Sequence, residues 1–489
     1  MSHNRRRLYI IFFLGVLMTI GCEDFLEKTP PSSLAVDNFF QTEDDAIGGV
    51  NATYAPLQSR SSYSEDLPKV VEVPGDDLTI NNTSGLSFDD FGFSPAEGQI
   101  DRLFTISYEG IGRANLALAR IPDIEMDEGL KSRLLGEAFF LRALYYWHLA
   151  ATFGDVPIIL IPPETTEEAE IAKSPVEEVY NQVISDLQEA IARLPAEYDD
   201  ENVGRATRGA AQALLGKTYL YTERYQEAEA ALLEVINSGV YDLVDDFSQI
   251  IIESNENNVE SIFEVQFHDI GGSPWAGQDA ANANESTLRE RLNYPNGRGG
   301  FGNLLPTQSI VDEFEEGDPR LEASIFRQGD EYDPSTEGEE VYQASWTPTG
   351  YAIKKGMLPF RRNLAASGTN WPIIRFADVL LMYAEAANEN GKLQEAIDAM
   401  NRVRARVNMP PYPTDKWTVS TQEEVFEALV HERRVELAFE YHRYNDLRRW
   451  GLAEEVLGPL GYIAPRNEYM PLPQAEVDTN PDLVQNPNW

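Results

Sequence analysis

The sequence predicts a mainly α fold of stacked helical hairpins with a loop-rich, partly β insertion on its ligand-binding side. Three observations predict it. Residues 205–239 carry the core LLGKTYLYTERYQEAEAALLEVI, in which Leu215-Gly216 is followed by Tyr219, and Ala228 lies 12 residues after Gly216. Residues 375–407 repeat the pattern: Ala384 and Ala396 are again 12 apart, and Met400 takes the place of Leu232. Between the two copies, residues 240–372 lose helical spacing and turn rich in Gly, Pro, Asn and aromatics.

Small residues (Gly216, Ala228) suit the place where two antiparallel helices approach most closely, and large ones (Tyr219, Leu232) fill the space beside it. Glu223-Arg224 and Asn390-Gly391 make the turns. The spacing is that of a tetratricopeptide unit, whose period is about 34 residues. One such hairpin cannot bury its apolar face alone, so hairpins stack.

The remaining elements follow in chain order. Residues 46–57 read as a helix. Residues 60–100 show no clean period and read as loop with short elements. Residues 100–121 return to helical spacing, and 130–153 form a strong helix ended by Gly154-Asp155-Val156-Pro157. Ser174 and Glu177 form a capping box with Pro175 at the first helical position, starting a helix over 176–194. Helices 130–153 and 176–194 are expected to pair as a further hairpin. Within the insertion, residues 261–267 alternate apolar and polar, which fits a half-buried strand. Residues 410–419 form a Pro-rich loop. Ser420 and Glu423 cap a helix running to about Tyr444, and the chain finishes irregularly from Asn467.

Composition narrows the partners. The chain has 489 residues, 42% hydrophobic, enough for a sizeable core. Asp and Glu number 81 against 39 Lys and Arg, a formal charge of −42. Long-range repulsion therefore opposes nucleic acid and bare anionic membrane. The single cysteine, Cys22, excludes an internal disulfide. It follows Arg5-Arg6-Arg7 and the apolar run Leu8 to Ile20, the layout of a secretory signal peptide. That run is shorter than the roughly 20 apolar residues of a membrane span. Gly21-Cys22 resembles a bacterial lipobox, which implies cleavage after residue 21 and lipid on Cys22. The expected organisation is a lipoprotein signal peptide (1–21), an anchored tether (22–45) and one domain (46–489). Within that domain the helical repeats fall at about 100–239 and 373–450, and the binding insertion at about 240–372.

Candidate chemistry is sparse. His431 to Trp450 is dense in charge, and Glu432, Glu436 and Glu440 share a helix face at i, i+4 spacing. A glycosidase needs two carboxyls held about 5–9.5 Å apart across a cleft. A structural ion-pair network with Arg433, Arg443, Arg448 and Arg449 is the expectation instead. The five histidines make no HExxH, and neither GxSxG nor a phosphate-loop motif occurs. Asp76-Asp77, and Asp330-Glu331 with Asp333, lack EF-hand spacing and read as solvated acidic loops. No enzyme activity, cofactor or metal is expected.

Aromatics remain. Sugar rings lay their C–H faces on aromatic rings while their hydroxyls reach polar neighbours. Trp275 in GGSPWAGQD, Tyr294 with Arg298 and Phe301 in LNYPNGRGGF, and Trp346 in QASWTPTG have that setting. So do Phe88, Phe91 and Phe93 near Asn81 and Asn82. These are the candidate ligand-binding residues.

The order of segments resembles the SusD/RagB family nearly from end to end. The residues that carry it are CEDFLEKTPPSSLAVDNFF, GEAFFLRALYYWHLAATFGDVP, LLPTQSIVDEFEEGDPR, Arg375 with Ala384-Glu385-Ala386, Glu432-Arg433-Arg434 through Arg449-Trp450, and Met470-Pro471-Leu472-Pro473 through Asn486-Pro487. The resemblance implies a non-catalytic, lipid-anchored lipoprotein on the surface of the outer membrane. It implies capture of oligosaccharide or polysaccharide and delivery to a SusC-like TonB-dependent transporter. The same architecture capturing peptides is the alternative. A glycosidase, or an adaptor with no small ligand, fits the residues less well.

Overall fold

The structure, a computed structural model, describes residues 39–81, 87–162, 165, 168, 170–268, 285–298, 300–333, 340–357 and 367–489. Thr42 opens α1 (Glu43–Gln58) through a reciprocal capping box. Its hydroxyl accepts from Asp45 N at 3.3 Å, and its own N–H donates to the Asp45 carboxylate at 2.8 Å. Then come α2 (Gly98–Arg120), α3 (Glu128–Phe153) and α4 (Val176–Arg193). The expected pairing of α3 with α4 is present. Arg142 of α3 fastens it, meeting both oxygens of Asp186 on α4 at 2.7 and 2.8 Å. The expected cap on α4 is not there. Ser174 is engaged in a bridge with Val156, and the Asp155 carboxylate accepts from Val176 N at 2.9 Å in its place.

The two sequence repeats fold as hairpins: α5 (Arg208–Tyr221) with α6 (Tyr225–Ile236), and α7 (Phe376–Glu389) with α8 (Leu393–Arg406). Glu223 (φ 56°) and Gly391 (φ 75°) make the left-handed turns at the expected places. Ala228, Ala384, Ala396 and Met400 are buried at the helix contacts. Each hairpin packs on the next, from α3–α4 to α5–α6 to α7–α8, then onto α9 (Gln422–Glu436), and a single apolar cluster runs through the stack.

The helix expected to reach Tyr444 breaks. Its cap is Thr421, one residue beyond the expected Ser420, and it ends at Glu436. Phe439 and Tyr441 take left-handed backbone, and α10 (Arg443–Arg449) follows. The break has a partner. Arg375 Nη2 donates to the Glu436 carbonyl at 2.8 Å, and Lys355 Nζ to the Glu436 and Ala438 carbonyls at 2.8 and 3.2 Å, satisfying the orphan acceptors of the helix end.

The described strands form four short antiparallel pairs. β1 (Leu78–Ile80) pairs with β3 (Leu304–Pro306), and β2 (Ser261–Val265) with β8 (Trp371–Arg375). β4 (Ile325–Phe326) pairs with β7 (Ala352–Ile353), and β5 (Glu331–Asp333) with β6 (Glu340–Val341). The β2–β8 pair brings the two ends of the insertion together beside α7. β2 is buried on both faces rather than one: Ile262, Phe263, Glu264 and Val265 are all buried. Glu264 is tolerated there because its carboxylate accepts from Asn257 N and Asn370 Nδ2, each at 3.1 Å. None of the described helices is long and apolar enough to cross a membrane.

Candidate functional site

Three of the expected ligand residues meet in one place. Tyr294, Phe326, Tyr332 and Tyr342 form a small apolar cluster under Trp346. The β5–β6 pair delivers Tyr332, and Tyr342 follows β6 directly, with the two ring centroids 6.1 Å apart. Trp346 stands edge-on to Tyr332 and Tyr342 at centroid distances of 5.2 and 5.3 Å. Tyr342 donates to or accepts from Thr347 Oγ1 at 2.9 Å, and burial pushes its phenol up to about 12. Arg298 lies over the half-buried Trp346 ring at 4.2 Å and pairs with Glu340. Its side chain stays 38% exposed, so the guanidinium offers N–H donors to solvent above an aromatic plane. That is the polar-over-apolar arrangement a sugar diol requires.

Tyr294 is a correction. It is 1% exposed and supports the cluster from inside, because its ring fills the space under Tyr332 rather than facing outward. Phe301 is half-buried beside it, with Arg291 over its ring at 4.9 Å. Asn81 sits at the end of β1, half-buried, its backbone N–H bonded to Asn303 O at 2.9 Å. The Asn303 N–H in turn donates to Leu292 O at 2.7 Å, which ties the β1 end to the short helix Arg289–Asn293 that precedes Tyr294.

The Phe88, Phe91 and Phe93 cluster is a second correction. All three are buried. Phe88 stacks on Phe93, Phe93 on Trp489, and Phe91 packs against Tyr444 and Tyr462. They anchor the irregular C-terminus and present no ring to a ligand. Trp275, Asn82 and Cys22 lie outside the described residues. Tyr332, between Glu331 and Asp333, and Tyr342, between Val341 and Gln343, were not anticipated; the one available signal was that both precede Trp346 by fewer than 15 residues.

Glu432 and Glu436 of α9, and Glu440 beyond its end, are wholly internal. Glu432 meets Arg320 at 2.6 Å and Arg404 at 3.0 Å. Glu436 meets Arg375 at 2.7 Å, Arg320 at 3.1 Å, and Arg406. Glu440 meets Arg375 at 2.7 Å and Lys355. These partners come from elsewhere in the chain, not from Arg433, Arg443, Arg448 and Arg449 as expected. Burial alone raises the Glu436 carboxyl, but Arg406, Arg375 and Arg320 outweigh it and hold the group well below the usual range. Asp76 and Asp77 are also not solvated: Arg434 meets them at 2.6 and 2.8 Å, and Arg443 meets Asp76 at 2.7 Å. Among the described residues no His, Cys, Asp or Glu cluster has a metal-binding arrangement.

Comparison with known proteins agrees with this architecture. Residues 259–464 match the family model described as "SusD family", and residues 24–220 the model described as "Starch-binding associating with outer membrane". SusD-like protein P2 of Formosa agariphila is 30% identical over 98% of this chain and 99% of its own. The starch-binding protein SusD of Bacteroides thetaiotaomicron is 24% identical over 81% of this chain and 80% of its own. Among solved structures, a laminarin-binding SusD-like protein superposes with a TM-score of 0.80 at 31% identity, covering 92% of this chain and all of that one. The chain belongs to the SusD family.

Proposed function

We propose that this protein is a lipid-anchored, surface-facing lipoprotein of the outer membrane. It captures oligosaccharide or polysaccharide and passes it to a SusC-like TonB-dependent transporter, without catalysis. The observation that carries the reading is the Arg298–Trp346 platform on the insertion, in a chain alike over nearly its whole length to a laminarin-binding protein. Trp275, Phe301 and Asn81 are proposed to complete the site. Burial of Glu432 and Glu436 under arginines favours a structural role over a glycosidase pair. The proposed anchor is lipid on Cys22, which stands directly after the apolar leader.

Affinity electrophoresis through gels containing laminarin, starch or other polysaccharides tests the reading. Retardation by one glycan, relieved by Trp346→Ala or Trp275→Ala, is the expected result. A chain that no glycan retards, but that binds a peptide pool, shifts the cargo to peptide. Cys22→Ala is expected to release the protein from membranes.

A further inference from the structure

A second cleft, of about 300 Å³, opens on the helical side of the molecule. The turn of the α5–α6 hairpin, the end of α10 and the 462–469 segment enclose it. It shares no lining residue with the Arg298–Trp346 platform. Six aromatic side chains line it: Tyr180, Tyr221, Tyr225, Trp450, Tyr462 and Tyr469.

The hydroxyls of those five tyrosines are the unusual feature. Four tyrosine hydroxyls elsewhere in the helical stack are used internally: Tyr54 donates to Glu137, Tyr108 to Pro157 O, Tyr145 to Thr53 O and Tyr444 to Asn467 O. None of the five in the cleft has a hydrogen bond to another protein group among the described residues. Buried or half-buried hydroxyls normally find a partner. Five converging on one concave surface leave donors and acceptors turned toward whatever enters. Burial pushes the Tyr225 and Tyr462 phenols up to about 12, so they stay donors at neutral pH.

The floor is pre-set. Arg449 is held by Glu385, with Nη2 to Oε2 at 2.7 Å, and by Asp446 at 2.9 Å. Trp450 Nε1 donates to the same Glu385 at 3.1 Å. The lining charges are Arg448 and Arg449 against Glu223, Glu385, Glu454 and Glu468. With acids in excess, in a chain of −42, an anionic ligand is disfavoured. Aromatic faces, free hydroxyls and fixed carboxylate and guanidinium groups together suit a neutral, hydroxyl-rich ring. The volume is at the small end of ligand sites, which run about 300–1,000 Å³, and so admits a short saccharide or a chain end.

We propose that this cleft is a second saccharide site, for a short neutral stretch of glycan, separate from the insertion platform. The proposal rests on the glycan-capture reading. Two separate sites would hold one polysaccharide at two points, and the second engagement then proceeds at raised effective concentration.

The test is titration calorimetry of the full chain in detergent with two neutral probes, laminarihexaose and maltohexaose, on the wild type and two variants. Tyr225→Phe/Tyr462→Phe/Tyr469→Phe removes three cleft hydroxyls and no hydrogen bond among the described residues, so its circular dichroism and melting temperature are expected to match the wild type. Tyr225→Ala, at a half-exposed helix start, is the second variant. The expected result is a wild-type stoichiometry near two, with one of the two sites weakened about ten- to a hundredfold in the triple variant, the ordinary worth of three neutral hydrogen bonds. Trp346→Ala is expected to weaken the other site and leave this one intact. Binding of one saccharide, lost in Trp346→Ala and unchanged in both cleft variants, overturns the second site and keeps the glycan reading. Binding of neither probe by the wild type, with full retardation in a polysaccharide gel relieved by Trp346→Ala, also overturns it. No binding in either assay sinks the glycan reading itself.

Discussion

Gly216 and Leu232 touch at the waist of the α5–α6 hairpin: a Cβ placed on Gly216 would stand 2.6 Å from Leu232 Cγ. The contact explains why the repeat needs Gly at this point and a large apolar residue 16 positions later. Gly216→Val forces two helices apart that are packed on both sides. Overpacking of this kind costs about 1–3 kcal/mol. A lowered urea midpoint with an unchanged slope is the expected outcome. Gly216→Val combined with Leu232→Ala is expected to recover part of the loss, because the second change empties the space the first one fills.

The helical scaffold was legible because its signals are local. Gly216, Ala228, Ala384 and Ala396 mark close approaches at fixed offsets, and Glu223 and Gly391 fall where the pattern puts turns. What depends on distant partners was not legible. Glu436 is 61 residues from Arg375 and Glu432 112 from Arg320, and no spacing rule announces those pairs. The helix break after Glu436 is invisible for the same reason, since Lys355 and Arg375 hold its end. Loop aromatics fared similarly. Trp346 was found from its polar neighbours, while Tyr294 and Phe88 have equally polar neighbours and lie inside. Whether a loop ring faces in or out depends on how the loop folds over it.

Arg375 is the centre of the buried charge network. One guanidinium serves Glu260 at 2.6 Å, Glu436 at 2.7 Å and Glu440 at 2.7 Å. Truncating one member of a buried pair leaves its partners charged without compensation, a cost on the order of 3–5 kcal/mol. Arg375→Ala is therefore expected to lower the melting temperature severely or abolish folding. Arg375→Lys keeps the charge, loses the fork, and is expected to fall between. A variant as stable as the wild type would show that the network contributes nothing.

Two histidines of the α9–α10 region act on stability with opposite sign. His442 is buried, with Nδ1 at 3.3 Å from Lys217 Nζ, and faces Asp378, Arg433 and Asp446. Burial first, and then Lys217, pushes it down to about 3. An unfolded imidazole takes up its proton near about 6.5. Between those values the unfolded state holds one more proton, so this site loses stability on acidification, by up to about 1.4 kcal/mol per pH unit. His431 differs: burial lowers it, but Glu313 at 2.6 Å and Glu315 at 3.3 Å raise it above its ordinary value. Its contribution is full below the unfolded value and is lost as pH rises through the folded one. Denaturant midpoints measured across acid to neutral pH check both. His442→Asn is expected to flatten the fall toward low pH, and His431→Asn to remove stability mainly on the acid side.

Arg142 separates charge from geometry in the α3–α4 hairpin. Its Nε and Nη2 meet the two Asp186 oxygens at 2.8 and 2.7 Å, and Nη1 donates to Asn115 Oδ1 at 2.9 Å. One side chain thus ties α4, α3 and α2 together. All three are buried, so each lost bond leaves a polar group without water. Burial dominates Asp186 and raises its carboxyl even with Arg142 in place. Arg142→Lys keeps one positive charge and loses the two-pronged grip and the reach to Asn115. A loss of about 1–3 kcal/mol is expected from those bonds. Arg142→Ala also strands the Asp186 charge, and about 3–5 kcal/mol is expected. The double variant Arg142→Leu/Asp186→Leu removes both charges and is expected to sit close to the wild type. If the lysine variant matched the wild type instead, charge alone would hold the hairpin and the bidentate geometry would be incidental.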